Sequence, residues 1–233
     1  MNARKWRYAA AAALLLPASL YAQDAAPDIS PPPSVQVKGV RDPALMPYAD
    51  LVMMRRVFAD AAMPASILPA LRVTGRSSGE PVPGLAVVLA ARDAVLPVPL
   101  EAGFALLRQL PVSDDAEAEF RSNQRKGSLR MELLLTVALE NPRRFPAGEL
   151  GRAIDDGNRV RATVLPWYLR LLAPRFSEVA VCFAAPGATV SVAGVPRVAE
   201  PDHGSHCLAL RPQENDAAAL IETDTAPLYL QLR

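Results

Sequence analysis

Lysine is scarce in this 233-residue chain: Lys5, Lys38 and Lys126 are the only three among 25 basic residues, and the rest are arginine. With 23 prolines and abundant alanine, that bias points to a GC-rich bacterial coding sequence. Cysteine is limited to Cys182 and Cys207, and neither lies near residue 22, so a lipid-anchored N-terminus has no attachment residue there. No segment beyond the first 22 residues is long and apolar enough to span a bilayer, which needs about 20 apolar residues. The sequence also has no P-loop and no dinucleotide fingerprint. An excess of positive charge is missing too. Once residues 1–22 are set aside, 22 basic groups face 24 acidic ones, a net charge of −2. That balance argues against nucleic acid as a general partner, which requires a basic footprint.

What is present begins at the N-terminus. Arg4, Lys5 and Arg7 precede the apolar run YAAAAALLLPASL, and Ala22 ends it before the polar QDAAPD. This order of basic start, apolar stretch and small-residue exit is that of a cleavable signal peptide, cut after Ala22. The expected location is periplasmic or secreted. Residues 23–41 are Pro-rich and polar and read as an extended linker.

The remainder predicts a mostly β, α+β fold. Leu51, Met54, Phe58 and Ala62 repeat at helical spacing, which places an N-terminal helical segment within 42–67, capped by Asp42 before Pro43. Short apolar runs punctuated by Pro and Gly make 68–142 a first β unit. Its longest strand candidate is SLRMELLLTVAL, with Leu129, Met131, Leu133 and Leu135 on one face. Residues 143–176 favour helix, broken or kinked at Gly157 and Pro166. A second β unit follows over 177–233.

The two β units carry an internal repeat. Residues 101–123 align without a gap on 202–224, matching Gly103 with Gly204, Leu107 with Leu208, Pro111 with Pro212 and Asp115 with Asp216. In each copy the pattern predicts hairpin strands, a short helix and a final strand. Ser113 or Asp114 would cap the first helix and Asn215 the second. Two β-sandwich-like units with connecting helices follow as the expected architecture.

Two resemblances accompany this reading. Gly79, Pro81, Val82, Gly84, Gly103, Phe104, Leu110 and Pro111 form a Gly-x-Pro-Val-x-Gly turn and a Gly-Phe strand start running to Leu-Pro. In these residues the segment 79–112 resembles transthyretin-like and carboxypeptidase-regulatory-like β-sandwich domains, which implies a sandwich fold. The phrases SNQRKGSLR and APRFSEVAVCF resemble a group of uncharacterised exported proteobacterial proteins. That resemblance implies an exported protein and no catalytic residues.

Several constellations are candidates for chemistry. GRSSG (75–79) matches G-x-S-x-G with Ser77 as nucleophile, but the motif requires a strand-to-helix turn and EPVPG follows. Asp202, His203, His206 and Cys207 are metal-ligand types at close spacing, yet alternation along a strand would part the two histidines. Cys182 and Cys207 lie in strand-like runs; an oxidising compartment permits a disulfide, and two buried thiols are the alternative. Asp114–Asp115 and Asp155–Asp156 are adjacent carboxylates, a poor geometry for an acid/base pair. Arg121, Arg125 and Lys126 form the densest basic run. Arg159, Arg161 and Arg170 surround Trp167 and Tyr168 in a helix-favouring stretch that could lie on a membrane.

Three functional expectations follow. The first is an exported non-catalytic protein that binds or scaffolds an envelope protein, a glycan or a lipid surface, with no cofactor. The second is a secreted serine hydrolase using Ser77 with His203 or His206. The third is peripheral membrane attachment through 158–175.

Overall fold

The computed structural model describes residues 44–212 and 216–233. The leader, the Pro-rich linker, Asp42 and Asn215 lie outside the described residues. Among the described residues, fifteen strands and three α-helices make a mostly β, α+β fold with three antiparallel sheets.

The first half comprises β1 (Ala44–Pro47), α1 (Tyr48–Asp60), β2 (Ile67–Gly75), β3 (Val87–Ala90), β4 (Val95–Pro97), β5 (Phe104–Leu106), β6 (Glu119–Ser122) and β7 (Leu129–Val137). The second comprises β8 (Arg144–Pro146), α2 (Ala147–Val164), α3 (Trp167–Leu172), β9 (Val179–Phe183), β10 (Thr189–Val192), β11 (Val195–Val198), β12 (Glu200–Asp202), β13 (Ser205–Leu210), β14 (Leu220–Thr223) and β15 (Tyr229–Leu232).

Each half contributes a four-stranded sheet, in the orders β1-β6-β3-β4 and β8-β14-β10-β11. The registers correspond. Met46 faces Phe120 and Leu89 faces Phe120 in one sheet; Phe145 faces Ile221 and Val192 faces Ile221 in the other. α1 and α2 each follow directly from an edge strand, and the first N–H of each is satisfied just before the neighbouring strand: Tyr48 donates to Ala118 O (3.0 Å) and Ala147 to Ala219 O (2.8 Å). α1 begins after Pro47, where a fixed φ suits a helix entry.

The third sheet joins the halves, in the order β12-β13-β9-β15-β7-β2-β5. β15 and β7 meet at its centre through the single registered pair Gln231–Thr136. β9 is buried along its whole length. Its Val179, Val181 and Phe183 enter the core beneath α2, while Ala180 and Cys182 pack on the opposite face with Ala70, Phe104 and Tyr229. α2 buries Leu150, Ala153, Ile154, Gly157 and Val160, a helical stripe. Leu150 and Ile154 pack in the second half's core and Val160 in the first half's, so α2 bridges the seam.

Three local expectations differ from the structure. Residues 113–118 form a turn, not a short helix: Ser113 Oγ accepts the Asp115 N–H (3.1 Å), and Asp115 Oδ1 accepts the Glu117 N–H (2.9 Å). Asp216 Oδ1 makes the same turn with the Ala218 N–H (2.9 Å). Ser113, an expected cap, does accept a backbone N–H, but its bond and those of Asp115 and Asp216 close side-chain turns, which compete with helix. Gly157 does not break α2. It gives room to Leu232, whose Cδ1 a β-carbon there would strike. Pro166 does end the helix.

The aligned glycines sit in tight hairpin turns that need positive φ at both central residues. Ala102 and Gly103 adopt 47° and 79°; His203 and Gly204 adopt 45° and 81°. A β-carbon on Gly103 would also strike the Val73 carbonyl oxygen, whereas Gly127 at 79° faces open space. Gly127→Ala therefore carries only the positive-φ cost, about 1 kcal/mol. Gly103→Ala adds a backbone collision and should cost about 3 kcal/mol in all. Thermal unfolding of the two variants measures the difference; equal midpoints would show that the Val73 contact yields freely.

Candidate functional site

The most exposed apolar feature lies at the corner after α2. Val164 ends the helix, and Pro166 has no N–H with which to continue it. α3 then runs for six residues and buries none of them. Trp167, Leu171 and Leu172 are 72%, 78% and 81% exposed, and Tyr168 and Leu169 are also exposed. The Trp167 and Tyr168 rings meet edge to face, 6.0 Å apart. Monomeric proteins seldom leave contiguous apolar side chains in water without an interaction purpose.

The corner is held from both sides by arginines. The Arg161 guanidinium donates to the carbonyls of Arg170 (2.5 Å) and Ala173, at the C-terminus of α3. Arg170 Nε donates back to the Leu165 carbonyl (2.7 Å), at the C-terminus of α2. Each cation satisfies carbonyls that a helix end leaves unpaired and opposes the negative end of its dipole. Asn158 clamps the returning chain: its Nδ2 donates to Phe176 O and its Oδ1 accepts the Phe176 N–H, both at 3.0 Å. Arg159 pairs with Asp156, which also accepts the Ser66 hydroxyl (2.5 Å). The Ser66 bond and then Arg159 hold the Asp156 carboxyl below its usual range, against partial burial. Thus α3 is a pre-formed projection.

The basic run at 121–130 is spread over a strand and a turn. Arg121 lies on β6 and pairs with Glu119 (2.6 Å). Arg125 and Lys126 occupy the exposed turn to β7, where Ser128 donates its hydroxyl to Arg125 O (2.6 Å). Arg130 pairs with Glu132 (2.6 Å). The stretch joins two strands, whereas the sequence predicted a helix C-terminus before it.

Around 202–207 the structure gathers residues that the sequence pointed to, and uses them otherwise. Cys182 and Cys207 face each other across β9 and β13 and form a disulfide, with Cα atoms 4.1 Å apart. Cys207 is thereby removed as a metal ligand. Asp202 holds Arg233, and His203 Nε2 lies 3.8 Å from Asp202 Oδ1. Among the described residues, no group of three or more His, Cys, Asp or Glu is arranged to hold a metal ion.

The turn carrying Ser77 lies beside His203: a β-carbon on Gly79 would sit 3.8 Å from His203 Nδ1, and Gly204 abuts Pro81. The turn itself is closed by Gly79 N–H donating to Gly75 O (2.8 Å), and Ser77 stands exposed at its tip. No helix follows, and among the described residues no hydrogen bond joins Ser77 to either histidine. This is not the strand-to-helix elbow that the motif requires. Asp114 and Asp155 are exposed, while their neighbours Asp115 and Asp156 serve turn and helix contacts.

A buried polar network on the same sheet face escaped the sequence reading. Arg72 is 7% exposed, and donates to Glu132 Oε2 from Nε (2.9 Å) and Nη2 (2.5 Å). Its Nη1 reaches the Tyr229 hydroxyl (3.4 Å), which lies 3.1 Å from Ser205 Oγ. The Tyr229 ring stacks on Phe104, 4.6 Å between centroids. Burial opposes charge on both partners, but the Arg72 pairing overcomes it, keeping Glu132 below the usual carboxylate range; Arg130 and His203 add to the effect. The Arg72 pKa is raised, the Glu132 and Tyr229 bonds outweighing its burial. One charged residue amid the apolar LRVT was the available signal.

The chain matches no protein-family model, no curated protein and no solved structure. Fold and geometry thus define its class directly: a mostly β, α+β protein whose described surface includes the exposed apolar helix α3.

Two outcomes test these assignments. Arg72→Met removes both guanidinium bonds to Glu132 and leaves it only the exposed Arg130, and should cost about 2 kcal/mol in thermal or denaturant unfolding. Because the Glu132 pKa is lowered on folding, its contribution is full above about pH 4.3 and is lost as pH falls through the depressed folded value. Glu132→Gln should flatten that acid limb of the stability profile; an unchanged limb would remove the pair from the account. For Ser77, a fluorophosphonate probe should label the wild type no more than Ser77→Ala, and labelling lost on substitution would reinstate the hydrolase.

Proposed function

We propose that this chain is an exported, non-catalytic protein, periplasmic or secreted, that binds or scaffolds an envelope component. In this reading the leader is removed after Ala22, and the Pro-rich residues 23–41 precede the folded part as an extended linker. That part is an internal repeat of two β-sandwich-like units, each entered through a short edge strand and a helix. The corresponding registers of the two four-stranded sheets support the repeat. So do the paired turns at Ala102–Gly103 and His203–Gly204.

The observation that carries the binding role is α3. The two helices share an entry, but only the second continues into an exposed apolar projection. A copy that has gained a feature its own fold does not bury has gained it for a contact outside the fold. The resemblance to exported proteobacterial proteins agrees with this reading and adds no catalytic role.

Two measurements test the proposal. Expressed in a Gram-negative host, the chain should be recovered from the osmotic-shock fraction or the medium with Gln23 as its first residue. A cytoplasmic chain beginning at Met1 would overturn the export. A photocrosslinker replacing Leu171 should form adducts in the envelope that one replacing the exposed Val195 does not. Equal yields at the two positions would remove α3 as the contact.

A further inference from the structure

We infer that α3 docks on an anionic phospholipid surface, with Trp167, Leu171 and Leu172 entering the headgroup layer and Arg175 contacting the phosphates. The inference rests on the reading of α3 as the contact surface and names its partner.

Four observations favour lipid. The first is charge. Between Gly157 and Ser177 the chain carries Arg159, Arg161, Arg170 and Arg175 and no acidic residue, and of these Arg159 is matched by Asp156 just before the window. Arg161 and Arg170 spend N–H groups on backbone carbonyls and so supply mainly field, while Arg175 stands exposed beside the projection. Arginines near an anionic surface each add attraction that decays within a Debye length.

The second is side-chain type. Tryptophan and tyrosine present an apolar body with a polar tip, which suits the boundary between water and acyl chains. Trp167 and Tyr168 open the helix, and Leu171 and Leu172 close it. The third is dimension. Six helical residues span only about 9 Å. A stable protein interface draws on about 20–30 residues a side, far more than this projection offers. The fourth is pre-organisation. The reciprocal Arg161 and Arg170 bonds and the Asn158 clamp fix the corner before contact, so little ordering entropy opposes binding.

The test uses the full chain and vesicles of phosphatidylcholine with or without phosphatidylglycerol. The leader's own apolar run is common to every variant, so differences between variants report α3. Leu171→Asp combined with Leu172→Asp should lower co-sedimentation with phosphatidylglycerol vesicles by about tenfold or more, and Arg175→Glu by severalfold. Both variants should keep the wild-type circular dichroism and thermal midpoint, because the three side chains are exposed. In the Trp6→Phe chain Trp167 is the remaining tryptophan, and its emission should shift to the blue with phosphatidylglycerol vesicles.

Variants that sediment like wild type, or an unshifted Trp167 emission, would overturn the lipid assignment. Binding to pure phosphatidylcholine as tight as to the anionic vesicles would overturn it too. If Trp167 does not shift while a crosslinker at 171 captures one envelope protein or glycan in place of lipid, the lipid partner falls and the contact surface stands. If neither vesicles nor crosslinks respond to α3, both readings fall.

Discussion

A guanidinium withdrawn from water has to be matched where it lies, and Arg72 is matched by residues from both halves of the chain. Its carboxylate partner, Glu132, comes from the adjacent strand β7, but the Tyr229 hydroxyl comes from β15, in the second half. Tyr229 in turn meets Ser205 and stacks on Phe104. The central pair of strands contributes one registered residue pair, and Ile67 and Val137 share a core with Leu230 and Leu232 across it. The network adds a polar tie to that packing. The disulfide between Cys182 and Cys207 pins β9 to β13 on the same face, so the second half presents Tyr229 and Ser205 from a fixed frame.

The opposite face of that sheet is secured by α2. Its first turns pack in one core and Val160 in the other, and Ser66 reaches across to Asp156 near its middle. A helix committed along its length in this way has a fixed C-terminus. That matters for function, because α3 begins two residues beyond it and is held by arginines bound to the carbonyls of both helix ends. The interior thus determines where an exposed apolar element stands, and the polar bonds around it replace the packing that it lacks.

Much of this organisation could be read from residue patterns, and the limits are physical. The stripe Leu51, Met54 and Phe58 gave α1, since helical spacing and burial arise from one geometry. Its start was less visible, because Pro47 ends an edge strand whose pairing with β6 no local pattern reports. The alignment of Gly103 with Gly204 marked two turns whose backbone demands glycine. The residues after them misled: Ser113 and Asp115 can cap a helix or close an Asx turn with equal chemistry, and the long-range pairing of β6 decided for the turn. At the candidate site, Trp167 and Tyr168 amid arginines were legible as a candidate surface. The bonds of Arg161 and Arg170 to backbone carbonyls were not, since they form only once Pro166 has turned the chain.

By itself the sequence determined the class of fold, the places of α1 and α2 and of the two glycine turns, and the candidate surface, because these follow from hydrophobic period, backbone-restricted residues and local charge. Tertiary structure alone decided that Cys182 faces Cys207, that Ser77 ends on an exposed turn, and that Arg72 is buried against Glu132 and Tyr229. It also decided that α3 is left uncovered. Each of these depends on which residues distant in the chain are brought within a few ångströms, and on what burial then does to a charge or to an apolar side chain that finds no neighbour.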